Sequence, residues 1–294
     1  MAGFGFGAFI FKGRALGAVG YIERNDVLNF FIVHGLISLV CVSAGAMLLR
    51  NPPAPPEMSS PESSDATAQA STQPAAQSNS TGGWQDTLRQ PTFYLLWLMF
   101  FSGALAGLMV IGIIKPFAGS QLVESAAAAG RTLGESDRAA LLAKGAAAVG
   151  YLAIFNAVGR VVWGVVSDRI GRTTSFVVMF LFQAAAMFTL ATCKTELTLA
   201  IGASIVGFNF GGCFALFPSA TADLFGTKNM GANYGWVFTS YGIAGVVGIA
   251  AGNAAKVVTG SYFAAFVMAA VMCLISAGLA VSLGRLTKKS ALTQ

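Results

Sequence analysis

The sequence predicts an all-α membrane protein, a bundle of about eight transmembrane helices. Three observations carry that expectation. Of 294 residues, 55% are hydrophobic and only 10% charged, where a soluble domain carries roughly 25% charged residues. Mean hydropathy is +0.68. The 35 glycines fit the same class, because glycine is commoner in transmembrane than in soluble helices. Together these exclude a disordered chain and argue against a soluble globular enzyme.

Taken in order, Met1 to about Ile22 is a first apolar stretch, interrupted by Lys12 and Arg14, so the count is eight spans, or seven if this one does not cross. Lys12 and Arg14 would then lie mid-membrane without an acidic partner. Val27–Leu49 is a clean span closed by Arg50, Asn51, Pro52 and Pro53. Residues 50–91 turn to Ala, Ser, Pro and Gln and predict a disordered linker, because such a segment cannot bury enough apolar surface to fold. Residues 92–284 hold six further spans: Thr92–Phe117, Ala146–Ser167, Thr173–Ala191, Leu197–Pro218, Gly231–Ala254 and Tyr262–Gly284. The polar stretch Glu124 to Lys144 suits an amphipathic surface helix, and residues 285–294 form a tail.

Alternation of the spans places two sets of cations on opposite sides. Arg50, Arg89, Arg169, Arg172, Lys228, Arg285, Lys288 and Lys289 share the linker side, against Arg24, Arg131, Arg138, Lys144, Lys194 and Lys256. The positive-inside rule then makes the linker and C-terminus cytoplasmic. The net charge of +6 is spread among these loops, with no basic cluster to track a phosphate backbone, so nucleic acid is not expected as a partner. Cys41, Cys193, Cys213 and Cys273 are scattered without a metal-binding pair. The single histidine, His34, is either an intramembrane proton relay or a packing residue. No nucleophile, base and acid set is visible. Enzyme chemistry, a metal and a cofactor are therefore not expected.

The most specific string is Gly164-Val165-Val166-Ser167-Asp168-Arg169-Ile170-Gly171-Arg172, between two spans. Its glycines suit a tight turn and a close helix approach. Asp168 can accept bonds from helix N-terminal amides or from an arginine across the turn. The string resembles the loop signature of the major facilitator superfamily. Gly3-Phe4-Gly5-Phe6-Gly7-Ala8, Leu48-Leu49-Arg50-Asn51-Pro52-Pro53, Ile114-Lys115-Pro116-Phe117 and Asn233-Tyr234-Gly235 resemble the oxalate/formate antiporter family within it. The resemblance implies a major-facilitator-type bundle in which this chain covers helices five to twelve. Residues 1–49 would be the last two helices of an N-terminal half, and residues 50–91 the central loop. It also implies conformational roles for Gly164, Asp168, Arg169, Gly171 and Arg172.

Arg160 lies about 10 Å inside the cytoplasmic end of its span at 1.5 Å per residue. Translocon scales charge roughly +2.5 to +3.5 kcal/mol for an arginine near mid-bilayer. It either faces a polar cavity or snorkels to the interface. The resemblance favours the cavity, since the family places an anion-pairing arginine in this helix. Asn156 lies one turn before Arg160 on the same face and is expected to face the cavity and bind substrate with it. Phe210 and Phe214, spaced i, i+4, and Phe238 and Tyr241, spaced i, i+3, read as packing by default. The resemblance implies that they line the cavity.

One departure bears on substrate. Oxalate-exchanging relatives carry a lysine in the eleventh helix, in a Thr-x-Lys-Gly-like context; here the string is Thr239-Ser240-Tyr241-Gly242. A dry cavity stabilises two negative charges only with matching positive charge. The expected ligand is therefore a small monocarboxylate such as formate, lactate or pyruvate, carried across the lipid bilayer. The competing expectation is a truncated, non-transporting membrane protein that acts as partner or scaffold. The remaining helices, or a partner chain, would complete the pathway.

Overall fold

The computed structural model describes residues 27–48 and 84–292, all in helices and short turns. The expected first span, with Lys12 and Arg14, and residues 49–83 of the linker lie outside the described residues, as does the side chain of His34. Helix α1, Val27–Leu48, falls in one compact unit and the remaining helices in another. Its bounds match the span read from the sequence.

The second unit contains α2 Trp84–Arg89, α3 Pro91–Ala128, α4 Glu135–Lys144, α5 Ala146–Ile170, α6 Arg172–Leu190, α7 Glu196–Phe225, α8 Met230–Thr259 and α9 Phe263–Leu292. Six of the described helical segments are long and apolar enough to cross a membrane, and they coincide with the six spans expected in residues 92–284. The helices themselves run past the apolar runs. Helix α3 starts with Pro91 at its first turn, where a missing N–H is harmless. It then continues through Pro116 to Ala128, so the polar stretch expected as one surface segment is divided. Its first part prolongs α3, and only Glu135–Lys144 forms a separate helix. Likewise, α9 extends to Leu292 through the stretch expected as a tail, and Trp84–Arg89 is helical within the stretch expected as linker.

Successive long helices are antiparallel, and side-chain bonds tie each end of the bundle. At one end, Thr87 donates from Oγ1 to Asn233 Oδ1 at 3.0 Å, Trp84 stacks on Trp236 at 5.4 Å, and Arg172 pairs with Asp223 at 3.0 Å. At the other, Lys144 pairs with Glu196 at 2.6 Å and Lys256 lies over the Tyr262 ring.

Transmembrane helices associate through close packing, small residues and polar bonds, since lipid tails are as apolar as leucine. The core shows both kinds of contact. Phe100 of α3 stacks on Phe217 of α7 at 4.3 Å, and Phe176 of α6 reaches the same ring at 4.8 Å. The tightest crossing joins α5 and α7. A methyl group added at Gly211 would overlap the Asn156 carbonyl oxygen, one at Gly207 that of Leu152, and one at Gly159 that of Phe208. Gly248 and Gly252 pack on Leu105, Met109 and Ile113 of α3, as the glycine spacing on α8 suggests. Helices α3 and α7 are the most buried, whereas α5 and α8 keep faces this bundle does not cover: Val161 is 69% exposed and Val246 75%.

Candidate functional site

The Gly164–Arg172 string forms the junction between α5 and α6. Gly171 sits at φ +85° and ψ 155°, a region essentially restricted to glycine, and its amide bonds the Ser167 carbonyl at 3.0 Å. Of the two partners open to Asp168, the arginine is the one found. Arg172 Nη1 lies 2.8 Å from Asp168 Oδ1 and donates to Ser167 Oγ, while its Nε reaches Asp223 of α7. The sequence did not point to Asp223, 51 residues away. Arg169 is exposed. Gly164 has room for a side chain, with Ala215 Cβ 3.9 Å from the position a Cβ would take. The close helix approach expected there is therefore supplied by Gly159, Gly207 and Gly211 instead.

The six residues expected to face a cavity do come together. Arg160, half-buried, lays its guanidinium over the Phe214 ring, 4.2 Å from the centroid. Nε and Nη2 both donate to Asn156 Oδ1, at 3.2 and 3.1 Å. Phe214 meets Phe210 edge-on at 5.3 Å and Tyr241 at 5.6 Å. Tyr241 stacks on Phe238 at 4.9 Å. One wall was not foreseen: Phe100 of α3 lies 5.8 Å from Phe238 and 6.2 Å from Tyr241. It stands in the run Trp97-Leu98-Met99-Phe100-Phe101, where every position is apolar and no periodicity singles it out. Beside it, Trp97 donates from Nε1 to Thr239 Oγ1 at 2.9 Å.

Helix rise places Phe100, Arg160, Phe214 and Tyr241 about 14–17 Å from the same end of the bundle. These helix ends run past the apolar runs, so the depth within the lipid is smaller, about 10 Å for Arg160 at 1.5 Å per residue from Ser167. Phe210 is set by Gly107 of α3, whose backbone its ring packs against so closely that a methyl group there would collide with it. The α5–α7 crossing sets Arg160, because Gly211 brings α7 against the Asn156 carbonyl and the Arg160 amide. Along α3 and α8, Leu108, Gly242, Gly245, Val246 and Ile249 continue from Tyr241 as an open apolar groove.

The electrostatics of this cage are simple. Among the described residues Arg160 has no ion pair, and the Tyr241 hydroxyl has no hydrogen-bond partner. The described Asp and Glu residues lie toward the helix ends or in the loops, away from the cage. No group of three or more His, Cys, Asp or Glu able to hold a metal occurs among the described residues.

The family model of the major facilitator superfamily matches residues 1–249 and, in an overlapping alignment, 125–293. The chain belongs to the major facilitator superfamily. It is therefore a multi-pass integral membrane protein. It is 32% identical over 212 residues to the oxalate:formate antiporter of Oxalobacter formigenes, covering 69% of this chain and 46% of that one. It is 31% identical over 229 residues to apicoplast pyruvate carrier 1 of Toxoplasma gondii, covering 73% of this chain and 40% of that one. It is 26% identical over 250 residues to an uncharacterized transporter of the superfamily from Escherichia coli, covering 81% and 54%. The chain thus spans about half the length of the curated relatives it matches. The oxalate/formate antiporter resemblance read from the motifs agrees with these similarities.

Proposed function

We propose that this chain forms part of a secondary transporter that moves small monocarboxylates, such as formate, lactate or pyruvate, by alternating access. The observation that carries the reading is the Arg160 guanidinium, which has no ion pair among the described residues and lies on Phe214 at 4.2 Å, inside the span of α5. A cation held there without a protein counter-charge is stabilised by an anionic ligand, and a planar guanidinium grips a carboxylate with two parallel bonds. The ring faces of Phe214 and Tyr241 supply the dry walls that strengthen that pairing, and the Tyr241 hydroxyl supplies a neutral donor. Similarity to an oxalate:formate antiporter and to a pyruvate carrier supports a small organic anion as cargo.

Charge count favours one carboxylate over two. Among the described residues, Arg160 is the one cation whose side chain contacts the cage rings. Oxalate carries two charges, and the second would enter the aromatic walls uncompensated.

In facilitator transporters two six-helix halves enclose the substrate and rock around it. The bundle α3 and α5–α9 supplies one such half. The α5–α6 junction, α2 and the end of α9 face the cytoplasm in this reading, following the cation count along the loops.

Exchange in proteoliposomes tests the proposal. Vesicles loaded with unlabelled formate and holding the purified chain should take up labelled formate or pyruvate, and Arg160→Gln should abolish this. Faster exchange of oxalate than of monocarboxylates at neutral pH would refute the charge-count argument. Absence of uptake by the chain alone, with carboxylate binding intact, would assign it to an assembly completed by further helices or a partner chain.

A further inference from the structure

The bonding of Arg160 shows how a ligand can approach it. A guanidinium has five N–H donors and no acceptor. Two of them, on Nε and Nη2, converge on the single Oδ1 of Asn156, at 3.2 and 3.1 Å. Only an acceptor can stand there, so the carboxamide orientation follows from the chemistry. The side-on edge of the guanidinium is therefore occupied. Three donors remain, two on Nη1 and one on Nη2. One on each of Nη1 and Nη2 forms the end-on edge, whose two parallel N–H bonds match a carboxylate; the other Nη1 N–H points away from it. Phe214 covers one face of the same plane at 4.2 Å.

Asn156 and Arg160 stand four residues apart on α5, so this pairing is local and forms without a ligand. The backbone of Asn156 is itself fixed, because Gly211 of α7 packs against its carbonyl oxygen. The sequence placed Asn156 on the substrate. In the structure its acceptor is spent on Arg160.

We infer that Asn156 is a positioning residue. It fills the side-on edge of Arg160 and holds the guanidinium so that the substrate carboxylate docks end-on, on Nη1 and Nη2. This deepens the carboxylate reading above and rests on it. Asn156 then contributes equally to every ligand that carries a carboxylate, whatever stands beyond it.

The test is calorimetric titration of the purified chain with sodium formate, acetate, pyruvate and lactate. Each variant is first checked for an unchanged melting temperature. Asn156→Ala should weaken all four anions by one common factor, about tenfold, the scale of a lost bond to a charged group. Asn156→Asp places a carboxylate where the carboxamide stood. It should abolish binding of all four anions at pH 7, because that carboxylate neutralises the guanidinium it faces and repels the ligand. In an Arg160→Lys background, adding Asn156→Ala should change nothing further, since the edge to be oriented is gone.

Unchanged affinities in Asn156→Ala would overturn the inference. So would a loss confined to pyruvate and lactate, because that pattern means Asn156 touches their α-oxygen. Failure of the carboxylate reading itself looks different: wild type and Arg160→Gln would then bind none of the four anions.

Discussion

Arg172, the last residue of the loop signature, pairs with Asp168 of its own junction at 2.8 Å and with Asp223 of α7 at 3.0 Å. One guanidinium thus ties the α5–α6 turn to the end of a third helix. Asp168 and Asp223 are 68% and 55% exposed, so solvent screens both pairs and each contributes on the order of 0.5 kcal/mol. Asp223→Asn should lower stability only slightly, whereas Arg172→Ala, which loses both carboxylates and Ser167, should lower it more. Melting temperatures of the two single variants and the double variant check this. Additive losses would show that Arg172 and Asp223 are not coupled.

The glycine crossing of α5 and α7 predicts a larger effect. Gly211→Ala forces a methyl group into the Asn156 carbonyl oxygen, and overpacking of this kind costs typically 1–3 kcal/mol. It should also weaken carboxylate binding, since the residue displaced is the one bonded to Arg160. Gly164→Ala, where Ala215 leaves room, should leave both melting temperature and binding unchanged. Equal behaviour of the two variants would contradict the assignment of the close approach to Gly211.

Gln183 of α6 and Asn209 of α7 are 3% and 1% exposed, line one small gap with Phe180, Phe210 and Cys213, and have no hydrogen-bond partner among the described residues. A buried carboxamide left unpaired costs about 1–3 kcal/mol. Gln183→Leu should therefore leave the melting temperature unchanged or raise it. A clear fall would mean that the carboxamide is bonded in the protein as purified.

How much of this was legible beforehand varies with the physical signal. The six spans of residues 92–284 were, because twenty apolar residues in a row reflect the bilayer thickness directly. The helix ends were not. Hydropathy reports where lipid is, and α3 runs on through Gly119–Ala128, where all but Leu122 and Val123 are polar or small yet keep helical bonds. Within the site, the spacing of Phe210 with Phe214 and of Phe238 with Tyr241 placed each pair on one helix face. Phe100 was hidden by a run in which every neighbour is equally apolar. Asp223 was hidden by distance along the chain, and the role of Asn156 by the fact that spacing shows proximity to Arg160 without showing which atom is already bonded.

Orientation can be read at Cys193, which lies between α6 and α7, at the end of the bundle opposite Arg172. In a variant retaining Cys193 as its only cysteine, a membrane-impermeant maleimide should label sealed membrane vesicles of known sidedness from the non-cytoplasmic face. Partial burial pushes this thiol above its usual value, and the thiolate is the reactive form. Labelling should therefore be slow at neutral pH, rising as pH passes above the ordinary thiol range. Labelling only from the cytoplasmic face would reverse the proposed sidedness.

The central claim is that Arg160 is the cation that receives a carboxylate. Its most direct test is the melting temperature of the purified chain in increasing sodium pyruvate, with sodium chloride at matched ionic strength as control, for wild type and Arg160→Gln. A ligand that binds only the folded state raises the melting temperature with concentration. Wild type should show a saturating rise with pyruvate that chloride does not reproduce, and Arg160→Gln should show none. An identical rise in both proteins would contradict the account, because the anion would then be held somewhere other than the guanidinium on Phe214.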